Sequence, residues 1–246
     1  MRQPTLAAAL ALSLALACQA DSLSLVTGND YAPFADSKLP NGGLAAEVAV
    51  KAFAESKTEV KLDWSPWARG YEEAKSGRYA ATFPYVKSAE REKDFIYSAP
   101  IYEIQQRAFA KPGSKFDFGH VASLAGSTVC VPLGWAPSAS LLPLIKSGQI
   151  KKSEPKDIST CAQMVAAGRA DYFVTDQFQG RTAIKGANLP ADALTASSVV
   201  LESETLHLIA GRATPQGRSV IAAFDKGLET LRKNGGYDRI VAAHTR

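Results

Sequence analysis

The chain has 246 residues, 46% of them apolar, and a formal charge of +4 with both signs interspersed. That composition excludes a disordered chain and supplies enough apolar surface for one large domain or two small ones. No basic run or stripe is present that would track a phosphate backbone, so nucleic acid is excluded as an expected partner.

Residues 1–20 read as a signal peptide. Arg2 supplies the positive end, and Leu6 to Ala17 is an apolar run of twelve residues. That is short of the about 20 residues a membrane-crossing helix needs. Small residues follow, with Ala20 before Asp21 as the cleavage position. The chain is therefore expected in the periplasm. Cys18 lies inside this segment, where lipid attachment is an alternative fate, although Ala15 is an unusual residue at its place ahead of a lipidated cysteine. Cys130 and Cys161 remain as an even pair, and an oxidising compartment would let them form a disulfide near the start of one strand and one helix. The competing reading is two buried thiols.

Leu23, Leu25 and Thr27 open the first strand, which Gly28 stops. Gly42-Gly43 leads into a helix over 45–54, with Leu44, Val48 and Ala52 on one face. Val60, Leu62 and Trp64 alternate as a second strand, Pro66 starts a helix over 67–76, and 79–83 is a third strand. An extended stretch at 101–110 separates this unit from a second one. There, a strand at 128–132 precedes a helix around 139–147, Ser159 or Thr160 caps a helix over 161–167, and 171–175 is a strand. A strand at 206–210 could return the chain to the first unit, and 218–233 is a long helix with Val220, Phe224, Leu228 and Leu231 on one stripe. The βαβ rhythm predicts α/β units with mostly parallel sheets.

Four short stretches carry a resemblance. They are Asn29-Asp30-Tyr31-Ala32-Pro33-Phe34; Ser88-Ala89-Glu90-Arg91 followed by Phe95-Ile96-Tyr97-Ser98-Ala99-Pro100; Gly168-Arg169-Ala170-Asp171 leading to Val174-Thr175-Asp176; and Ala222 to Leu228 with Asn234-Gly235-Gly236-Tyr237-Asp238. In this order and spacing the chain resembles the bacterial extracellular solute-binding proteins of family 3, the amino-acid-binding type. The resemblance implies a two-lobed periplasmic-binding-protein fold of type II. Each lobe is then a mixed, mostly parallel sheet flanked by helices, and two strands form the hinge. Lobe one would be 21–104 plus 206–246, and lobe two 105–205. It implies a monomer that captures a small molecule, such as an amino acid or a related amine or carboxylate, for an inner-membrane ABC permease, with no cofactor or metal.

Carried over by position, Arg91 would fork onto the ligand's carboxylate, for which paired guanidinium donors suit a planar anion. The alternative is a surface Arg paired with Glu90 or Asp94. Asp176, at the end of an apolar strand, would take the ligand's ammonium, and the alternative is a helix-capping Asp. Tyr31, Trp67, Tyr85 and Trp135 are candidates for an aromatic wall. Three positions depart from the amino-acid binders: Val86 and Ala136 replace hydroxyls, and Gly28 replaces an Asp. Either backbone N–H groups do that work or the ligand is not an ordinary α-amino acid. Two other functions share the fold. One is a sensor that presents its closed state to a receptor. The other is a cyclohexadienyl-dehydratase-like enzyme, which Gln179 disfavours because an amide cannot act as a general acid.

Overall fold

The computed structural model describes residues 22–245. The expected signal peptide and Cys18 lie outside the described residues. The first unit runs β1 (Leu23–Thr27), α1 (Leu44–Glu55), β2 (Val60–Trp64), α2 (Trp67–Lys75) and β3 (Ala81–Val86), then the short α3 (Arg91–Asp94) and β4 (Phe95–Tyr97). The long β5 (Tyr102–Ala110) leads to β6 (Thr128–Cys130), α4 (Leu142–Lys146), β7 (Lys151–Ser153), α5 (Ile158–Ala166), β8 (Tyr172–Asp176), α6 (Gln177–Gly186) and β9 (Thr195–Ala196). β10 (Glu202–Gly211) brings the chain back, and α7 (Gly217–Lys233) and α8 (Gly236–His244) complete the first unit.

The strands follow one path, β2-β1-β3-β10-β5-β8-β6-β7, with β4 on β10 and β9 on β5. At either end the pairing is parallel: β1 with β2 and β3, and β6 with β7 and β8. Helical crossovers force that direction, because a parallel return needs a long connection. The middle is antiparallel, β10 pairing with β3 and β5, and β5 with β8. β5 and β10 are thus the two strands that pass between the units.

Each unit buries its own core. In the first, Leu25, Phe34, Leu44, Phe53, Phe83, Leu208, Phe224 and Leu228 pack together, with Val26, Phe95 and Ile209 in a second cluster. The second unit has Phe109, Cys161, Val165, Phe173 and Ile184 in one cluster and Leu124, Val129, Leu141, Ile150 and Tyr172 in another. Strands apolar on both faces suit a sheet covered by helices on both sides. The expected stripe on α7 is buried, and α7 lies against α1 so closely that a Cβ at Gly227 would run into the Ala52 carbonyl.

Several local expectations shift. The helix expected over 161–167 starts at Ile158, because Asp157 rather than Ser159 or Thr160 is its cap: Thr160 N donates to Asp157 Oδ1 at 2.8 Å. The helix expected around 139–147 shrinks to five residues behind Pro143. The strand expected at 206–210 begins four residues earlier, at Glu202. Cys130 and Cys161 form a disulfide with their Cα atoms 5.5 Å apart, one on a strand and one on a helix. Cys130 closes its strand rather than starting it, since β6 is only three residues long.

Candidate functional site

Asp176 ends β8 and caps α6. Phe178 N and Gln179 N both donate to its Oδ1, at 2.8 and 3.1 Å. The capping alternative is thus realised, but it occupies one oxygen. Oδ2 carries no hydrogen bond among the described residues. The residue is 2% exposed, and burial raises its pKa above the ordinary carboxylate value in spite of the two amides. The next turn of α6 reaches the first unit: Gln179 Nε2 donates to the Ala32 carbonyl at 3.3 Å, and Phe178 meets Phe34 edge-on with ring centres 5.7 Å apart. Asp176 therefore stands at the junction of the two units.

Arg91 approaches from the first unit. Its backbone N–H donates to Ser88 Oγ at 3.3 Å, its Nη1 donates to the Val86 carbonyl at 3.0 Å, and its guanidinium lies 5.3 Å over the Tyr85 ring. The acidic partners proposed for a surface role are taken by lysines. Glu90 pairs with Lys93 and Asp94 with Lys75, both at 2.7 Å, while Glu92 pairs with Lys87 at 3.0 Å. Among the described residues Arg91 has no carboxylate in ion-pair contact. Tyr85 is half-buried, and burial pushes its phenol up to about 12 against the pull of Thr82 and the Arg91 charge.

Three of the four aromatic candidates come together. Trp67 faces Tyr31 at 6.2 Å and Tyr85 at 5.8 Å, each near-perpendicular. Trp67 Nε1 donates to the Asn29 carbonyl at 2.8 Å, which fixes the indole over Gly28, where an added Cβ would run into the ring. The missing side chain at position 28 is thus the space that Trp67 fills. Trp135 is not part of this group. It sits on the loop after β6, 44% exposed, beside Leu133 at 69%. Gly134, at φ 83°, turns the loop outward there.

Sequence reasoning missed the carboxylates of β10. Glu202 lies opposite Gln106 in the ladder, and Gln106 lies opposite Asp176, so all three share one face of the sheet. Glu204, two residues on, shares that face too. Gln106 Nε2 donates to Glu204 Oε2 at 2.7 Å, which links the two connecting strands. Glu202 Oε2 accepts from Ser138 Oγ at 2.6 Å and from Ala139 N at 3.1 Å, fastening the Trp135 loop to β10. Burial raises the Glu204 pKa. Gln106 opposes the shift, the Glu202 charge adds to it, Arg91 opposes it and Asp176 adds to it. Tyr31 is raised well above its ordinary value by burial and then by Asp176 and Glu204. Glu204 therefore feels Arg91 and Asp176 across the junction, and Tyr31 feels Asp176 and Glu204. A cavity of about 240 Å³ runs along Tyr102 to Gln105 and the start of α6, and shares Asp176 with this group. Among the described residues no three His, Cys, Asp or Glu side chains converge as a metal site.

No curated protein matches the chain by sequence. Solved structures do match in fold. A histidine kinase sensor domain with similarity to periplasmic binding proteins superposes with a TM-score of 0.74 at 20% identity, covering 91% of this chain and 96% of that one. The arginine-, lysine-, histidine-binding protein ArtJ from Geobacillus stearothermophilus gives 0.70 at 19% identity, covering 91% and 94%. An ancestral amino-acid-binding protein, a precursor of cyclohexadienyl dehydratase, gives 0.69 at 22% identity, covering 92% and 95%. The fold is therefore the mixed α/β arrangement of periplasmic binding proteins. Residues 23–245 match the sequence description of the bacterial extracellular solute-binding proteins, family 3, and the chain belongs to that family.

Proposed function

We propose that the chain works in the periplasm, where it captures a small polar solute, an amino acid or a related amine or carboxylate, and delivers it to an inner-membrane ABC permease. Lobe one comprises 21–104 plus 206–246, lobe two comprises 105–205, and the solute sits between them. The observation that carries this reading is the pair Arg91 and Asp176. They belong to opposite units, and each is held by the protein on one side and, among the described residues, forms no ion pair on the other. A zwitterion would place its anion on Arg91 and its cation on Asp176 Oδ2, against the walls of Tyr31, Trp67 and Tyr85. Trp135, on the loop fastened to Glu202, would form the outer rim. Neither lobe alone satisfies both charges, so the ligand favours the closed state through differential contacts.

Calorimetric titration with the common amino acids, small amines and small carboxylates tests this. Arg91→Ala should weaken binding by about thirtyfold or more, since unpairing a desolvated charge costs roughly 2–5 kcal/mol. Asp176→Asn keeps a good helix cap and should weaken an ammonium-bearing ligand similarly. Wild-type affinity in Arg91→Ala would overturn the assignment. The reading is non-catalytic. The position after Asp176 where an acid would be needed holds Gln179, whose amide is spent on the Ala32 carbonyl. Incubation with prephenate should leave it unchanged, and product would favour an enzyme. A second reading keeps the capture step and hands the closed state to a receptor, as the shared fold of the histidine kinase sensor domain suggests. Co-purification with a permease or with a receptor separates the two.

A further inference from the structure

If Arg91 and Asp176 take the two charges of a zwitterion, one carboxylate facing the same space is left over. Glu204 is half-buried on β10, on the face that holds Asp176 and Glu202, and it forms no ion pair with Lys or Arg among the described residues. Its one side-chain partner is neutral, Gln106, on the neighbouring connecting strand. Glu202 is committed to the loop after β6 through Ser138 and Ala139. The groups that face Glu204 are therefore Glu202 on its own strand, Gln106 on β5, Asp176 on β8, Arg91 on α3 and Tyr31 on the loop after β1. Three carboxylates meet one guanidinium there. A neutral zwitterion leaves that excess in place, whereas a ligand with a second cationic group halves it.

The geometry points to Glu204 as the residue that selects a second cationic group on the ligand, a role that rests on the solute-capture reading of the same site. Its position explains how it does so. Gln106 holds Oε2 and so fixes the carboxylate, while Oε1 stays available to an ammonium or guanidinium reaching toward the strands. Burial strengthens such a contact, because a charge-assisted hydrogen bond gains where water is scarce. The same burial raises the carboxyl's pKa, so the selectivity should weaken in acid.

The test uses the purified full chain with L-arginine and its uncharged isostere L-citrulline as probes, read by calorimetry. Wild type should prefer arginine by at least about tenfold. Glu204→Gln should erase that preference, read as the arginine-to-citrulline affinity ratio, while Glu202→Gln should keep it. Should Glu204→Gln melt at a lower temperature than wild type, the wild-type protein titrated between about pH 8 and about pH 5 gives the second measurement. The arginine-to-citrulline affinity ratio should then fall with pH as Glu204 protonates. Asp176 takes the ammonium common to both probes and cancels in the ratio. Equal affinities for the two probes, a preference that survives Glu204→Gln, or a pH-independent ratio each overturn the role of Glu204 and leave solute capture standing. Failure to bind any amino acid, amine or carboxylate overturns capture itself, and this role with it.

Discussion

His207 illustrates how a single side chain ties the connecting strand β10 to the first unit. Its Nδ1 donates to the Ser98 carbonyl at 2.7 Å, so its Nε2 accepts from Thr205 Oγ1 at 2.7 Å. A neutral ring satisfies both bonds, whereas a protonated ring would donate from both nitrogens, with the Thr205 hydroxyl turned to accept. Burial lowers the pKa from 6.5, helped by Lys87 and opposed by the Ser98 carbonyl and by Asp225. A base held neutral in this way contributes stability above its ordinary pKa and loses it as pH falls through the depressed value. Asp176, Glu204 and Asp225 act in the opposite sense. Their raised carboxyls are most favourable below the ordinary carboxylate range and lose that advantage as pH rises through the raised values. The melting temperature of wild type should therefore drop more steeply than that of His207→Gln as pH falls from about 7 to about 5. Parallel thermal melts across that range check it, and equal slopes would remove His207 as the cause. At this scale, Arg91 was proposed from the family resemblance carried by Ser88 to Pro100, and Asp176 from that resemblance and its place at the end of an apolar strand. Glu204 was not. Glu202-Ser203-Glu204-Thr205 has no apolar alternation, and it is extended only because β5 pairs with it.

Among the elements, those with an apolar face were read to within a residue or two: α1, α2 and α7 all stand where their stripes put them. Those shifted or not foreseen are short or polar and take their form from tertiary partners. β7 is Lys151–Ser153, with two exposed lysines, and exists through its pairing with β6. β6 itself is short, and the disulfide holds its last residue against α5. The bond spans a sequence separation of 31 residues. In the chain-entropy account, closing a loop of that length stabilises by roughly 3–4 kcal/mol. Replacing Cys130 and Cys161 together by Ser should lower stability by about that amount, measured by urea unfolding. The loss should fall on the second unit, so hydrogen exchange should quicken in β6, β8 and α5 before it does in α1 or α7. Uniform acceleration would contradict the account.

On the scale of the whole molecule, the units meet through two covalent connections and a few side chains. Phe178 against Phe34 and Gln179 to Ala32 are the contacts outside the connecting strands that the site depends on. In the proposed solute-capture cycle such contacts favour the closed arrangement without a ligand, and they set how much of the ligand's affinity goes into closing. Phe178→Ala should cost the closed state about 1 kcal/mol, enlarge the radius of gyration in solution scattering without ligand, and weaken binding several-fold. Unchanged scattering and affinity would show that Phe178 does not govern closure. The two-lobed plan was legible because the strand–helix rhythm restarts after 101–110, whereas the approach of Phe178 to Phe34 joins residues 144 apart in sequence and leaves no local periodic trace.

The route of the chain also orders its own folding. The second unit is one unbroken stretch between β5 and β10, so all of its core has been made before Glu202 is added. The first unit is not. Leu25, Phe34 and Phe53 must wait for Leu208, Phe224 and Leu228, which arrive nearly two hundred residues later. On a ribosome working from the N-terminus, the part begun first is therefore finished last. Contacts of such long sequence separation are slow to form. The early apolar helix α1 stays without its partner until α7 has been made.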